Sequence, residues 1–328
     1  MNGSRRAFNR YVLASGVLST LGGTTLTALG QAKEKVRIGL PTRVYWPAIP
    51  VHVAQNLKLY EKEGLDAEIT IYNSGGAAME ALAAGASDII SAGPASVAAA
   101  RARGVKAKIV AAGMQEPAGF YILVKEGSPI RTPQDLEGKK LGITAPNSTT
   151  DFLALWVMEK SKTKMTKVAV GGGALVPNLL NGQLDAIVAY PPLGYSLLVS
   201  KEARVLMDLG KEMEPSLPDT WVAAEDAIAK RPQVIEATLR AIFGGLQYLQ
   251  KNREYGVKFV QTYAQLPPAV AAMEYEKTLL PLPADGKLKE EWVETSMRLA
   301  RLAGATTLPP VREMYTERFT PLKRVTTP

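Results

Sequence analysis

Leu82-Ala-Ala-Gly85-Ala-Ser-Asp88-Ile-Ile-Ser-Ala92-Gly-Pro94 returns later in the chain as Leu179-Leu-Asn-Gly182-Gln-Leu-Asp185-Ala-Ile-Val-Ala189-Tyr-Pro191. Both copies read Leu-x-x-Gly-x-x-Asp-x-Ile-x-Ala-x-Pro, and Gly182 and Asp185 each stand 97 positions beyond Gly85 and Asp88. In each copy a helix end meets a glycine, the residue freest to adopt positive φ. A short apolar strand follows and ends in a loop carrying proline. A weaker echo pairs Ile38-Gly39-Leu40 with Leu141-Gly142-Ile143, again with a proline shortly after each. Two lobes of similar plan are expected.

Working outward, strand and helix patterns alternate. Residues 36–40 read as a buried strand ending at Pro41, and residues 49–63 as a helix stopped by Gly64. Residues 67–72 form the next strand, before an Asn73-Ser74-Gly75-Gly76 turn, a helix over 77–84 and a strand over 89–92. Such alternation predicts an α/β protein with doubly wound, mainly parallel sheets. The first lobe is expected over 33–113 plus 220–328 and the second over 120–209. Crossings at 114–119 and 210–219 would act as a hinge of two connecting strands, with further strands over 120–125 and 205–209 beside them. Beyond Asp219-Thr220-Trp221 the chain is expected to turn helical. Pro232 suits a first helical position, and residues 233–252, 257–263 and 290–302 show apolar spacing.

Composition narrows the function. The 328 residues are 46% hydrophobic and 21% charged, an ordinary globular balance. The net charge of +8 includes Arg5, Arg6 and Arg10 within an acid-free first 32 residues. The remaining basic residues are scattered rather than clustered among aromatics, so no nucleic-acid partner is expected. There are no cysteines and one histidine, His52. That removes disulfides, thiolate nucleophiles, cysteine-based metal sites and a lipid-modified cysteine anchor. No catalytic residue, metal site or cofactor is expected.

Ser4-Arg5-Arg6-Ala7-Phe8-Asn9-Arg10 precedes an uncharged stretch over 11–31 diluted by glycine and threonine. This resembles a twin-arginine signal peptide, with Asn9 where leucine is common; a general secretion signal is the alternative. Cleavage is expected after Gly30 or Ala32, leaving a periplasmic protein without a stable membrane anchor.

Ala54-Gln-Asn-Leu-Lys-Leu-Tyr60-Glu-Lys-Glu-Gly64-Leu65, Leu136-Glu-Gly138-Lys-Lys-Leu-Gly-Ile143 and Leu180-Asn-Gly182-Gln-Leu-Asp185-Ala186 follow one another in a telling order. With 82–93 they resemble the nitrate/sulfonate/taurine and thiamin-pyrimidine group of ABC-type solute-binding proteins, across essentially the whole chain after the leader. Lys58 departs from the family, which usually has glycine there. The resemblance implies a type II periplasmic-binding fold and reversible capture of a small solute, such as a sulfonate, a taurine-like compound or a pyrimidine. It also implies a monomer that delivers its solute to an ABC permease and ATPase. Two rivals are an enzyme on the same fold, such as a pyrimidine-precursor synthase, and a sensor protein without its own transporter. The absence of cysteine and the export signal count against the synthase.

Ligands of open parallel sheets bind beyond the carboxyl ends of the strands. Loops so placed supply Tyr45 and Trp46, then Gly75 and Gly76, then Gly93, Pro94, Ala95 and Ser96. The second lobe supplies Asn147, Ser148, Thr149, Thr150 and Asp151 at a helix start, then Tyr190 and Pro191; Trp221 lies beside the second crossing. Part of 147–150 must cap its helix; the rest is available to a polar or anionic ligand group. Two readings of Asp151 stay open. Facing the cleft, it favours an amine or ring-nitrogen donor; facing solvent, it complements the helix dipole. Gly171-Gly172-Gly173 lacks the Gly-Lys-Ser/Thr ending of a phosphate loop and reads as a close-approach turn.

Overall fold

The computed structural model describes residues 33–323; the expected signal sequence and both cleavage positions lie outside them. Ten strands follow one another along the chain: β1 (Glu34–Leu40), β2 (Leu65–Ile71), β3 (Ile89–Ala92), β4 (Ala107–Ala112), β5 (Tyr121–Lys125), β6 (Lys140–Ile143), β7 (Thr166–Ala169), β8 (Ala186–Ala189), β9 (Ala203–Asp208) and β10 (Thr220–Ala224). They form two sheets of five, ordered β2-β1-β3-β10-β4 and β7-β6-β8-β5-β9. In each sheet one strand runs antiparallel. β10 lies between β3 and β4, and β5 between β8 and β9. The chain passes between sheets through 113–120 and again through 209–219, so each passage delivers the antiparallel strand of the sheet it enters.

The sequence repeat has a physical cause in both sheets. Gly85 and Gly182 both take φ of +72°, closing a helix in the left-handed region. Three residues on, Asp88 Oδ2 accepts the Arg37 backbone N–H at 2.9 Å and Asp185 Oδ2 accepts that of Lys140 at 2.8 Å. The Asp88 and Asp185 N–H groups donate back to the carbonyls of Arg37 and Lys140. Each aspartate thereby fixes one register: Gly39 opposite Ile90 in β1–β3, and Gly142 opposite Ile187 in β6–β8. At both glycines a Cβ would strike the packing side, meeting Ile90 Cγ2 at 2.9 Å and Leu184 Cδ1 at 2.5 Å. The weaker glycine echo is thus the other half of the same device.

Burial follows position in the sheet. The inner strands β3 and β8 are buried at every residue, as strands covered on both faces must be. The outer strand β2 alternates and exposes Asp66 and Glu68, which discourages edge pairing. Helix Pro232–Lys251 starts on proline as expected and packs along helix Ala48–Asn56. Their contact is close enough that a Cβ on Gly245 would lie 2.5 Å from the Pro50 carbonyl oxygen. Helices Arg253–Ala264 and Glu290–Leu302 complete the C-terminal part.

Two expectations need correcting. The helix read over 49–63 is two helices, Ala48–Asn56 and Leu59–Lys62, because Lys58 takes φ of +54° between them. Its relatives' glycine meets a conformation that L side chains resist. Lys58→Gly is therefore expected to stabilise the protein by about 0.5–1 kcal/mol, the left-handed penalty less glycine's unfolded-state entropy. Urea denaturation checks this, and a lower midpoint would show that the lysine stem contributes more than the strain removes. The second correction concerns Thr220–Ala224, which extends as β10 before the chain turns helical at Glu225–Lys230.

Candidate functional site

The parallel strands of both sheets point their carboxyl ends into one cleft, and the loops that leave them meet. Ser96 Oγ donates to the Asn147 carbonyl at 2.8 Å, Thr149 Oγ1 to the Pro218 carbonyl at 3.1 Å, and the Gly172 N–H to the Asn73 carbonyl at 3.0 Å. Gly172 is the close-approach turn: a Cβ there would sit 2.8 Å from Thr42 Cγ2. Enclosed by these contacts is a cavity of about 40 Å³. Roughly 10–15 Å³ is enough for one water on a 1.4 Å sphere, so there is room for a few waters or one small organic molecule.

Of the residues singled out in the sequence, Tyr45, Gly75, Ser96, Ser148, Thr149, Thr150 and Tyr190 line this cavity. Tyr45 follows β1 and Tyr190 follows β8, and their rings meet edge to face at 5.4 Å, with Phe120 6.1 Å from Tyr45. This aromatic floor draws on both sheets. Neither buried phenol oxygen makes a well-aligned hydrogen bond, though that of Tyr45 lies within reach of Asp219 and that of Tyr190 within reach of Thr42. Burial raises both phenols, Tyr190 to about 12, so they face the cavity as neutral O–H groups.

The helix Thr149–Ser161 opens at the opposite wall. Ser148 caps it, its Oγ accepting the Asp151 N–H at 3.3 Å and donating to the Ala145 carbonyl at 2.7 Å. Thr150 Oγ1 accepts the Thr144 N–H at 2.9 Å, and Thr144, Ser148 and Thr150 share one hydroxyl network. The capping and the functional readings therefore divide by atom. Hydroxyls hold the loop together, while the N–H groups of Thr149 and Thr150, the first two helical residues, have no intrahelical acceptor.

Other candidates sit near the cavity without lining it. A Cβ on Gly76 would lie 2.9 Å from the Pro146 carbonyl, and one on Gly93 2.6 Å from that of Pro218, so both glycines allow close passage of opposing backbone. Pro94 is the first residue of helix Pro94–Ala102, Ala95 faces a neighbouring chamber, and Pro191 packs beside Gly119. Asn147, at φ +58°, contributes only backbone: its carbonyl to Ser96 and its N–H to Asp151 Oδ2 at 2.8 Å. Asp151 takes neither of its two expected orientations. It is buried against Lys167, with Oδ1 2.5 Å from the ammonium, and locks its own loop. Trp46 and Trp221 are corrected to core residues, each 1% exposed and packed edge to face at 5.8 Å.

The residues not anticipated are Pro41, Thr42, Ser91, Ala92, Phe120, Thr144 and, above all, Asp219. Asp219 immediately precedes β10. Because β10 runs antiparallel to β3, with Thr220 opposite Ala92, its start lies at the same sheet edge as the parallel strands' ends. Phe120, just before antiparallel β5, reaches the cavity for the same reason. Ser91 Oγ donates to Asp219 Oδ1 at 2.6 Å and the Thr220 N–H at 2.8 Å. Burial nevertheless pushes the carboxyl up to about 7, against the pull of those two hydrogen bonds and of the Tyr45 hydroxyl. Among the described residues that line the cavity there is no lysine, arginine or histidine, and Asp219 supplies the one carboxyl.

Known proteins share this arrangement. The taurine-binding periplasmic protein of Escherichia coli is 25% identical over 226 residues, covering 67% of this chain and 69% of that protein. The solved structure of the alkanesulfonate-binding protein SsuA of Xanthomonas axonopodis pv. citri, bound to MOPS, is 22% identical. It superposes with a TM-score of 0.72 over 84% of this chain and 95% of its own. The fold extends further: the desulfurization enzyme DSZB, 12% identical, gives a TM-score of 0.59 over 88% of this chain and 97% of that one. The periplasmic-binding fold is thus common to binders and at least one enzyme. Residues 47–255 match the NMT1/THI5-like family, and the chain belongs to it.

Proposed function

We propose that this chain is the periplasmic solute-binding component of an ABC importer, serving a membrane permease and its ATPase, and that its solute carries both an anionic group and a protonated nitrogen. Asp219 is the observation that supports this reading. A buried carboxyl raised to about 7 is poised to ionise beside a cation, because an ammonium or ring N–H⁺ relieves the desolvation that holds its proton. Across the cavity, the free N–H groups of Thr149 and Thr150 and the helix end suit a sulfonate or carboxylate. An anion alone would meet the same helix end but also the field of an ionised Asp219. The Tyr45 hydroxyl supports Asp219, and that of Tyr190 is placed to meet a remaining polar atom of the solute.

A thermal-shift comparison of taurine, ethanesulfonate and an aminopyrimidine on the purified protein tests the reading. Taurine at about 100 times its dissociation constant should add roughly 2.7 kcal/mol of stability, and the aminopyrimidine, which lacks the anionic group, should add less at the same concentration. Ethanesulfonate, which lacks the nitrogen, should add far less. An equal response to ethanesulfonate and taurine would sink the role given to Asp219, and chemical turnover of either would favour an enzyme instead.

A further inference from the structure

Directly behind Ser96 and Thr149 lies a second chamber, which these two residues share with the solute cavity. Its far walls are Phe152 and Leu153 from helix Thr149–Ser161, Leu299 from helix Glu290–Leu302, and Met213 and Leu217 from the second passage between sheets. Three of the four hydroxyls around it are already engaged, and only that of Ser216 has no partner among the described residues. Ser296 Oγ donates to the Trp292 carbonyl and accepts the Leu217 N–H, Ser96 Oγ is held by Asn147, and Thr149 Oγ1 by Pro218. Apart from the Ser216 hydroxyl, what faces the chamber is mainly methyl, methylene and ring surface. Nothing there recognises a charge.

The partition between chamber and cavity is thin. It consists of two side-chain hydrogen bonds, and rotating Thr149 about χ1 breaks one of them, at 3.1 Å the longer. A single neutral hydrogen bond is worth about two- to twelvefold in equilibrium. Each methylene moved from water into an apolar site is worth about fourfold. An arm of two or three carbons therefore outweighs the displaced bond.

Resting on the reading of Asp219 above, we propose that this chamber is an annex of the solute site that receives a hydrocarbon arm, so that the preferred solutes are amine-bearing acids substituted with a short alkyl chain. Taurine and the 2-aminoalkane-1-sulfonates with arms of one to four carbons at C2 keep the same amine and sulfonate while lengthening only the arm. Titration calorimetry of this series on the intact protein tests the proposal, with Leu299→Trp and Met213→Trp as two independent variants that fill the annex from its half-exposed rim. The chamber holds about 20 Å³, so affinity in the parent protein is expected to rise about fourfold per carbon once the arm passes Thr149 and to level off by the third carbon. In either filled variant that gain should vanish while taurine binds as before. Taurine binding with an affinity that stays flat or falls along the series, or a gain that survives in both variants, overturns the annex alone. If no member binds, taurine included, the reading of Asp219 falls and the annex with it.

Discussion

Asp219→Asn is expected to weaken binding of an amine-bearing solute by at least about thirtyfold and, in the same protein, to raise stability at pH 8. The two effects have one cause. An asparagine still accepts the hydrogen bonds from Ser91 and Thr220, so the local geometry survives, but the buried ligand cation loses its counter-charge. Truncating one partner of a buried charge pair commonly costs 2–5 kcal/mol, about 30- to several-thousand-fold. Without ligand the sign reverses. In the folded protein the carboxyl keeps its proton up to about pH 7, whereas unfolded it ionises near 3.8. Between those values the folded state binds more protons, so stability falls as pH rises. The contribution is whole below about pH 4 and gone above about pH 7, a difference on the order of several kcal/mol. Glu274, fully buried with Thr278 donating to Oε2 and no partner on Oε1, is pushed by burial to about 8 and adds a loss of the same sign. Denaturant melts at pH 5 and pH 8 should show the parent protein losing stability between them, Asp219→Asn and Glu274→Gln each losing less. An Asp219→Asn curve as steep as the parent's, or undiminished solute binding, would contradict the assignment.

The strands at the centre of both sheets were legible because each is entered through a Gly and an Asp fixed three positions apart, whatever the distance to the strand they hold. Gly85 ends a helix and Asp88 holds the adjacent strand, and both constraints leave a local mark that recurs at Gly182 and Asp185. β10 left no such mark. A run of five apolar and small residues satisfies a strand or a helix equally, and what selects the strand is a slot between β3 and β4 that lies more than a hundred residues away in sequence. The same blindness hid Asp219. Attention to the carboxyl ends of parallel strands finds Tyr45, Ser96, Ser148 and Tyr190, but an antiparallel strand brings its amino end to that edge instead. Trp46 misled in the opposite direction: it shares a loop with a cavity residue, yet its ring turns inward onto Trp221, and a loop position does not fix a rotamer. Asp151 was read as facing either ligand or water, and the third possibility, a pair with Lys167 sixteen residues on, depends on β7 lying beneath the helix.

Duplication also allows one half of the molecule to serve as a control for the other. Asp88→Ala is expected to destabilise the protein by about 2–4 kcal/mol, and Asp185→Ala by about 1 kcal/mol. Both aspartates accept a backbone N–H from the neighbouring strand at nearly equal length. Asp88 has in addition the side chain of Arg37, at 3.2 Å and 2.8 Å, and Arg231 at 2.6 Å, and its own side chain is 6% exposed. Asp185 is half-buried and its bond to Lys140 lies near solvent. Stripping the carboxylate from a fully buried pair typically costs 3–5 kcal/mol. Here both guanidiniums keep about a third of their surface in water, which solvates part of the abandoned charge and lowers the figure. Burial alone would raise the Asp88 carboxyl, yet the hydrogen bonds from Arg37 and the charge of Arg231 hold it below the usual range. Its contribution is therefore present above the unfolded value near 4 and lost as pH falls, the opposite slope to Asp219. Urea melts at pH 6 should separate the two alanine variants clearly. Equal losses in both would mean that the shared backbone clamp, and not the arginine pair found in one lobe alone, accounts for the stability at this corner.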